Sequence, residues 1–443
     1  MRQESPESVE EAKQGTDTTA GTPGRAWWME ASIWTDRMVL ALGNGVKGGK
    51  WFSLIDKVYR PATLAAAWRR VERNQGAAGV DGQDIERFAA QAERYLTELG
   101  LSLREGSYRP QPVRRVEIPK GDGKTRPLGI PTVEDRVVQA AVRLAIEPIL
   151  ETRFRPGSYG FRPGRGCKDA LRAVDGLLKD GYAYVVDADL KSYFDTIPHD
   201  RLMAQLEVLI SDGRLLSLIE SFLRQDIMKG MQRWRPTTGT PQGAVISPLL
   251  ANLYLHPLDL LMEERGYRMV RYADDFVILC QTAEQASDAL DLVQAWVTEN
   301  GLTLHPEKTR VGDWREPGQG FEFLGYRFEA GRRTVRKKSL KALKDKVRAR
   351  TVRSRGDSLG RIIADVNPTL RGWFGYFQHA APGVFRMVDG FVRRRLRAIL
   401  RKQERRPGFG RTKGDHMRWR IAFFARQGLF TLEEAHAVAR HPR

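Results

Sequence analysis

Apolar positions recur at two different periods along this chain. From 27 to 75, Trp27, Trp28, Ile33 and Trp34, then Leu54, Ile55, Val58, Leu64 and Trp68, fall at helical spacing and predict helices. Gly79-Val80-Asp81-Gly82 marks a turn before another helix through Leu99, and 135–150 reads as an amphipathic helix with Val137, Val138, Ala141, Leu144 and Ala145 on one side. Short β-favouring runs lie between: 113–118, 184–190 and 269–279. The last is interrupted by Asp274-Asp275, so it reads as a hairpin of two apolar strands with two carboxylates at its tip. This order of strands and helices predicts an α/β chain, α+β in its sheet-bearing middle.

Two adjacent carboxylates between apolar strands repel one another unless a positive charge faces them. A hard divalent cation such as Mg²⁺ would remove the conflict, and an Asp-rich turn is the plainer reading of that stretch alone. A second acid-bearing strand, Tyr184-Val185-Val186-Asp187-Ala188-Asp189, puts Asp187 and Asp189 on one face, opposite Val186 and Ala188. The hairpin acids plus one of these would make a three-carboxylate nest for two cations about 3.5–4 Å apart, able to activate an attacking hydroxyl and stabilise a leaving pyrophosphate. Asp195 reads as a cap for a helix over 198–210.

Several loops add candidate chemistry. Gly43-Asn44-Gly45-Val46-Lys47-Gly48 matches a dinucleotide-binding glycine pattern but lacks the βαβ context, and Gly123-Lys124-Thr125 resembles the end of a phosphate loop without its first glycine or following helix. Residues 113–131 read instead as a hairpin whose Lys120 and Arg126 either reach over a cleft toward a triphosphate or are simply solvated. Ser158-Tyr159-Gly160-Phe161-Arg162-Pro163-Gly164-Arg165 is a basic loop with two aromatics, suited to stacking and phosphate contacts, or a plain surface loop. Gly239-Thr240-Pro241-Gln242-Gly243 enters an apolar helix, and its glycines would let backbone approach a nucleotide. Strand–turn elements at 301–309 and 321–326 are expected to complete the sheet, with His305 structural.

Length, at 443 residues, allows two to four domains, and 41% hydrophobic content fits a soluble globular protein with no run of membrane-spanning length. Two cysteines, Cys167 and Cys280, exclude a disulfide framework or zinc ribbon and point to a reducing, intracellular setting. Residues 1–26 are Ser/Thr/Gly/Glu-rich and read as a disordered lead-in. The net charge of +19 is concentrated after residue 330, where about 30 Lys and Arg face about 8 Asp and Glu, the pattern of a polyanion-binding appendage. There, Leu340, Leu343 and Val347 form one apolar stripe, and Val388, Phe391, Val392, Leu396 and Ile399 another, with Arg393, Arg394, Arg395, Arg397, Arg401 and Lys402 assigned to the remaining faces. The aromatics of 367–377 suit a core better than a stacking platform.

The ordered set Lys120…Arg126-Pro-Leu-Gly-Ile-Pro, Asp189…Phe194-Asp195, Pro241-Gln242-Gly243, Tyr272-Ala273-Asp274-Asp275, Leu304…Lys308-Thr309 and Phe323-Leu324-Gly325-Tyr326 resembles the successive blocks of reverse transcriptases. It is closest to the bacterial group II intron-encoded reverse transcriptase/maturase family, from about Trp51 onward. The resemblance implies a right-hand polymerase fold: a helical extension and start of fingers over 27–100, fingers and palm over 101–331, a helical thumb/maturase domain over 332–400 and a basic, DNA-binding-like extension over 401–443. It assigns Asp189, Asp274 and Asp275 as catalytic ligands of two Mg²⁺ ions, with Asp187, one strand repeat away, as the less favoured substitute. Lys120 and Arg126 match triphosphate contacts and Gln242 a nucleotide-pocket residue. Phe194, five residues after Asp189, matches an aromatic gate whose ring would clash with a 2′-hydroxyl and favour deoxynucleotides, though a core phenylalanine would look the same. The implied partners are group II intron RNA as template and splicing substrate, a DNA primer or target and deoxynucleoside triphosphates, in the cytoplasm and away from membranes. DNA-cutting members add a Cys/His-rich nuclease after this point, so target cleavage is not expected. The alternatives are a splicing factor with a relic polymerase and a reverse transcriptase recruited to host defence. Intact acids weigh against the first, and the maturase-like tail against the second.

Overall fold

The computed structural model describes residues 25–119 and 125–440. Lys120 and most of the expected lead-in lie outside the described residues. The strands are β1 (Val113–Pro119), β2 (Thr125–Ile130), β3 (Tyr184–Asp189), β4 (Ile227–Lys229), β5 (Gln232–Trp234), β6 (Arg268–Tyr272), β7 (Asp275–Cys280), β8 (Arg310–Asp313), β9 (Phe321–Phe323), β10 (Tyr326–Glu329) and β11 (Arg332–Val335). They form three sheets, ordered β2-β1-β4-β5, β6-β7-β3-β8 and β11-β10-β9.

Within the central sheet, β6-β7-β3-β8, strand β7 is buried on both faces after Asp275, which explains why it reads as an unbroken apolar run rather than an alternating one. Val186, Ala188, Phe276, Ile278 and Cys280 join a core with the helices Val133–Glu151, Ser247–Glu264 and Ala283–Glu299. Val185, Val270, Val277 and Leu279 face a second core containing Phe321, Phe323, Tyr326 and Phe328 of the small sheet and the C-terminal helices. Helix Val133–Glu151 starts where Thr132 accepts the Asp135 N–H, and is fixed from outside by Trp34 Nε1, which donates to the Leu144 carbonyl at 3.0 Å.

Several expectations need correcting. The 321–326 segment does not complete the central sheet: β8 takes that edge, while β9 and β10 pair with β11 in a separate sheet. A boundary at 331/332 would cut the antiparallel β10–β11 pair, so those residues are one unit. Asp195 is not the cap of helix His199–Leu209, which begins at Pro198 without a side-chain cap. Nor is 401–440 a separate body. Trp419, Phe424 and Leu432 are buried in the same core as helices Leu359–Phe377 and Pro382–Gln403. Asp389 there accepts the N–H groups of Leu432 and Glu433, capping the helix Leu432–Arg440. Arg393 and Arg397, assigned to a polar face, are buried, and Arg397 donates to the Trp419 carbonyl. Both predicted apolar stripes are otherwise found inward, as are Phe374 and Phe377. Among the described residues no helix is long and apolar enough to cross a membrane.

Candidate active site

Strand register brings the acids together. β3 and β7 run antiparallel with Asp189 opposite Asp275 and Asp187 opposite Val277, and β6 places Tyr272 opposite Asp275. Since Phe276, Ile278, Val186 and Ala188 point into one core, alternation turns Asp187, Asp189, Asp275 and Tyr272 to the other face. Asp274 sits in the two-residue connection between β6 and β7, after Ala273 in the left-handed region at φ +59°. A non-glycine residue held there marks a turn whose surroundings dictate its shape.

Crowding is visible in the electrostatics. Burial, then the carboxylates of Asp187, Asp274 and Asp189, push Asp275 up to about 7. Asp274 is raised by burial and by Asp189, with Arg126 and Lys308 opposing. Burial also raises Asp187, against the pull of Arg310, whose guanidinium lies 3.2 Å from the Asp187 carboxylate. Asp189 carries an ion pair with Lys308 Nζ at 2.5 Å. Among the described residues no three His, Cys, Asp or Glu side chains stand in a chelating arrangement. The donor set nonetheless fits a hard divalent cation: all its donors are carboxylate oxygens, and their mutual repulsion is what such a cation would relieve.

Beneath the turn lies a residue that sequence reasoning missed. Arg271 is fully buried, with Nε 2.7 Å from Asp259 Oδ1 and Nη2 2.5 Å from Oδ2. Its Nη1 donates to Asn252 Oδ1 at 3.0 Å and to the Ala273 carbonyl at 2.9 Å, clamping the left-handed residue directly. Asn252 Nδ2 in turn donates to the Gly160 carbonyl at 2.6 Å. The segment 157–159 lies along β6, with Arg271 N–H donating to Gly157 O and Tyr159 N–H to Arg271 O. The available signal was a lone arginine inside an apolar strand, between Val270 and Tyr272.

The nucleotide-side candidates also converge. Arg126 Nε donates to Gln242 Oε1 at 2.7 Å, joining two predicted residues 116 positions apart. The Gly129 N–H donates to the Gln242 carbonyl at 2.6 Å, and Gly243, at φ +106°, admits no Cβ because one would stand 2.5 Å from the Gly129 oxygen. Phe194 is buried beside Tyr193, and its carbonyl accepts the Thr240 N–H at 2.6 Å, tying it to the same loop. Tyr193 is itself anchored through its hydroxyl to the Ala251 carbonyl.

Residues 118–328 match the family described as reverse transcriptase (RNA-dependent DNA polymerase), and 340–419 match the group II intron maturase-specific domain. Protein YkfC of Escherichia coli (strain K12) is 35% identical over 316 residues, 62% of this chain and 82% of that protein. The group II intron-encoded protein LtrA of Lactococcus lactis subsp. cremoris is 39% identical over 203 residues, 45% of this chain but only 33% of LtrA. An uncharacterized 91 kDa protein in the cob intron of Schizosaccharomyces pombe is 41% identical over 162 residues, 37% of this chain and 20% of that one. With a reverse transcriptase region followed by a maturase-specific domain, the chain belongs to the group II intron-encoded reverse transcriptase/maturase family.

Proposed function

We propose that this chain is an RNA-directed DNA polymerase that extends a DNA primer on intron RNA, and that it also holds that RNA as a splicing maturase and supports intron mobility. The observation that carries the reading is the register pairing of Asp189 with Asp275, with Asp274 in the adjoining turn. Asp189, Asp274 and Asp275 would hold two Mg²⁺ ions, which when bound supply activation of the primer 3′-hydroxyl and charge stabilisation of the leaving pyrophosphate. Lys308 meanwhile gives the Asp189 carboxylate a counter-charge.

Arg126, together with Lys120, neutralises the incoming triphosphate, and Gln242 aims the Arg126 fork. The buried ring of Phe194 closes the space a 2′-hydroxyl would need, selecting deoxynucleoside triphosphates. In the right-hand arrangement, β2-β1-β4-β5 belongs to the fingers, β6-β7-β3-β8 to the palm and the basic helices from Lys337 onward to the thumb. Exposed cations on those helices supply the sequence-independent phosphate contacts that intron RNA needs, and those of 401–440 do the same for DNA. The test is primer extension on an RNA template together with splicing of the host intron transcript. Extension by the wild type, its loss in Asp274→Asn, and splicing retained by that variant support both roles. Splicing without extension by the wild type would leave only an RNA-binding protein.

A further inference from the structure

Beside the acidic face stands an exposed aromatic ring on a left-handed backbone. Phe161 is 43% exposed, and its φ of +58° is one that a bulky residue adopts only where its surroundings impose it. Those surroundings are identifiable on both sides. At 160, a Cβ would overlap the Ala273 nitrogen, so only glycine lets the loop press against the catalytic turn, and Asn252 holds the Gly160 carbonyl. At 162, a buried arginine spends its guanidinium on Glu151 and on the carbonyls of Arg155 and Ser158. Pinned between these two anchors, the Phe161 ring projects beside Tyr272, with ring centroids 6.3 Å apart. Tyr272 lies opposite Asp275 in the β6–β7 register, so the two rings continue the carboxylate face by one strand.

A strained, exposed apolar ring contributes little to a core and is costly to maintain beside carboxylates unless something apolar covers it. We infer that Phe161, together with Tyr272, is a stacking platform for the sugar and base at the growing end of the primer–template duplex. The face of a base suits this position, because stacking on an aromatic ring is tolerant of sequence. Arg165 of the same loop stacks over Tyr159, with its guanidinium 5.6 Å from the ring centroid, and donates to the Pro156 carbonyl. This assignment rests on the polymerase reading in placing a duplex in the cleft.

The experiment is equilibrium binding of a labelled DNA primer–RNA template duplex, with nucleotides added per binding event counted under a trap. Phe161→Gly is the informative variant, because glycine accepts the left-handed backbone without strain, so its melting temperature should be no lower than that of the wild type. The expected result is duplex affinity weaker by about fivefold to tenfold, with shorter products, and recovery to within about twofold in Phe161→Tyr. Phe161→Gly binding the duplex as tightly as the wild type would overturn the proposal, as would Phe161→Tyr binding as weakly as the glycine variant. Asp274→Asn separates the two readings: it should abolish extension and keep duplex affinity. A wild type that binds the duplex but never extends it defeats the polymerase reading and leaves Phe161 to be judged on affinity alone.

Discussion

Replacing Arg271 by methionine tests whether the turn that carries Asp274 depends on the buried network beneath it. The substitution keeps much of the side-chain volume, so little of its effect should come from a cavity. What it removes is the counter-charge of Asp259, whose side chain is 3% exposed, and the donor to the Ala273 carbonyl. An uncompensated buried charge costs about 3–5 kcal/mol, and two acceptors without donors add roughly 1 kcal/mol each. A loss of about 5–7 kcal/mol is a large part of the stability of an ordinary domain, and it would appear as a lower urea midpoint at unchanged slope. The double variant Arg271→Met/Asp259→Leu removes both charges and should recover most of that stability. It still leaves the Ala273 carbonyl unclamped, so primer extension should stay depressed by about 10²-fold, the scale set by a misplacement near 1 Å. A single variant within about 1 kcal/mol of wild type, or a double variant with full extension, would refute the reasoning.

Three further outcomes are expected. Because Asp275 is raised to about 7, the folded state holds a proton that the unfolded chain has released, so stability without divalent cation should fall as pH rises from about 4 to about 7 and level off above. Thermal melts should show Mg²⁺ stabilising the protein more at pH 8 than at pH 5.5, and Asp275→Asn should flatten that difference. Phe194→Val should admit ribonucleotides, lowering deoxy-over-ribo discrimination by about 10- to 100-fold in competition assays, with an unchanged ratio counting against the gate. Neutralising the exposed Lys337, Lys338 and Lys346 to glutamine should weaken RNA binding and lower the salt slope by about one for each phosphate that no longer meets a cation.

Much of the site was legible because strand alternation is a local rule. Asp187 and Asp189 could be placed on one face from period two alone, and Asp274-Asp275 at a hairpin tip from two flanking apolar runs. The pairing of Arg126 with Gln242 was not legible, since it depends on strand β2 meeting a loop 116 positions further along the chain. Arg271 was missed because hydropathy treats arginine as surface, whereas a complete set of partners makes burial tolerable. The same difficulty hid Arg397 inside a helix that otherwise reads as a basic exterior. The small sheet was misplaced because the aromatic β9 carries a strand signal while β8, Arg-Val-Gly-Asp, carries almost none, and only the tertiary pairing of β3 with β8 reveals the true edge. Lys308 shows the limit of motif reading: its block was legible, its ion pair with Asp189 was not.

The most direct measurement is single-nucleotide incorporation by Asp189→Asn against wild type across a Mg²⁺ titration, with RNA affinity determined on the same preparations. Incorporation should fall by at least about 10³-fold at every Mg²⁺ concentration while RNA affinity holds. Incorporation near the wild-type rate would mean that the paired strands β3 and β7 do not share a metal-dependent centre.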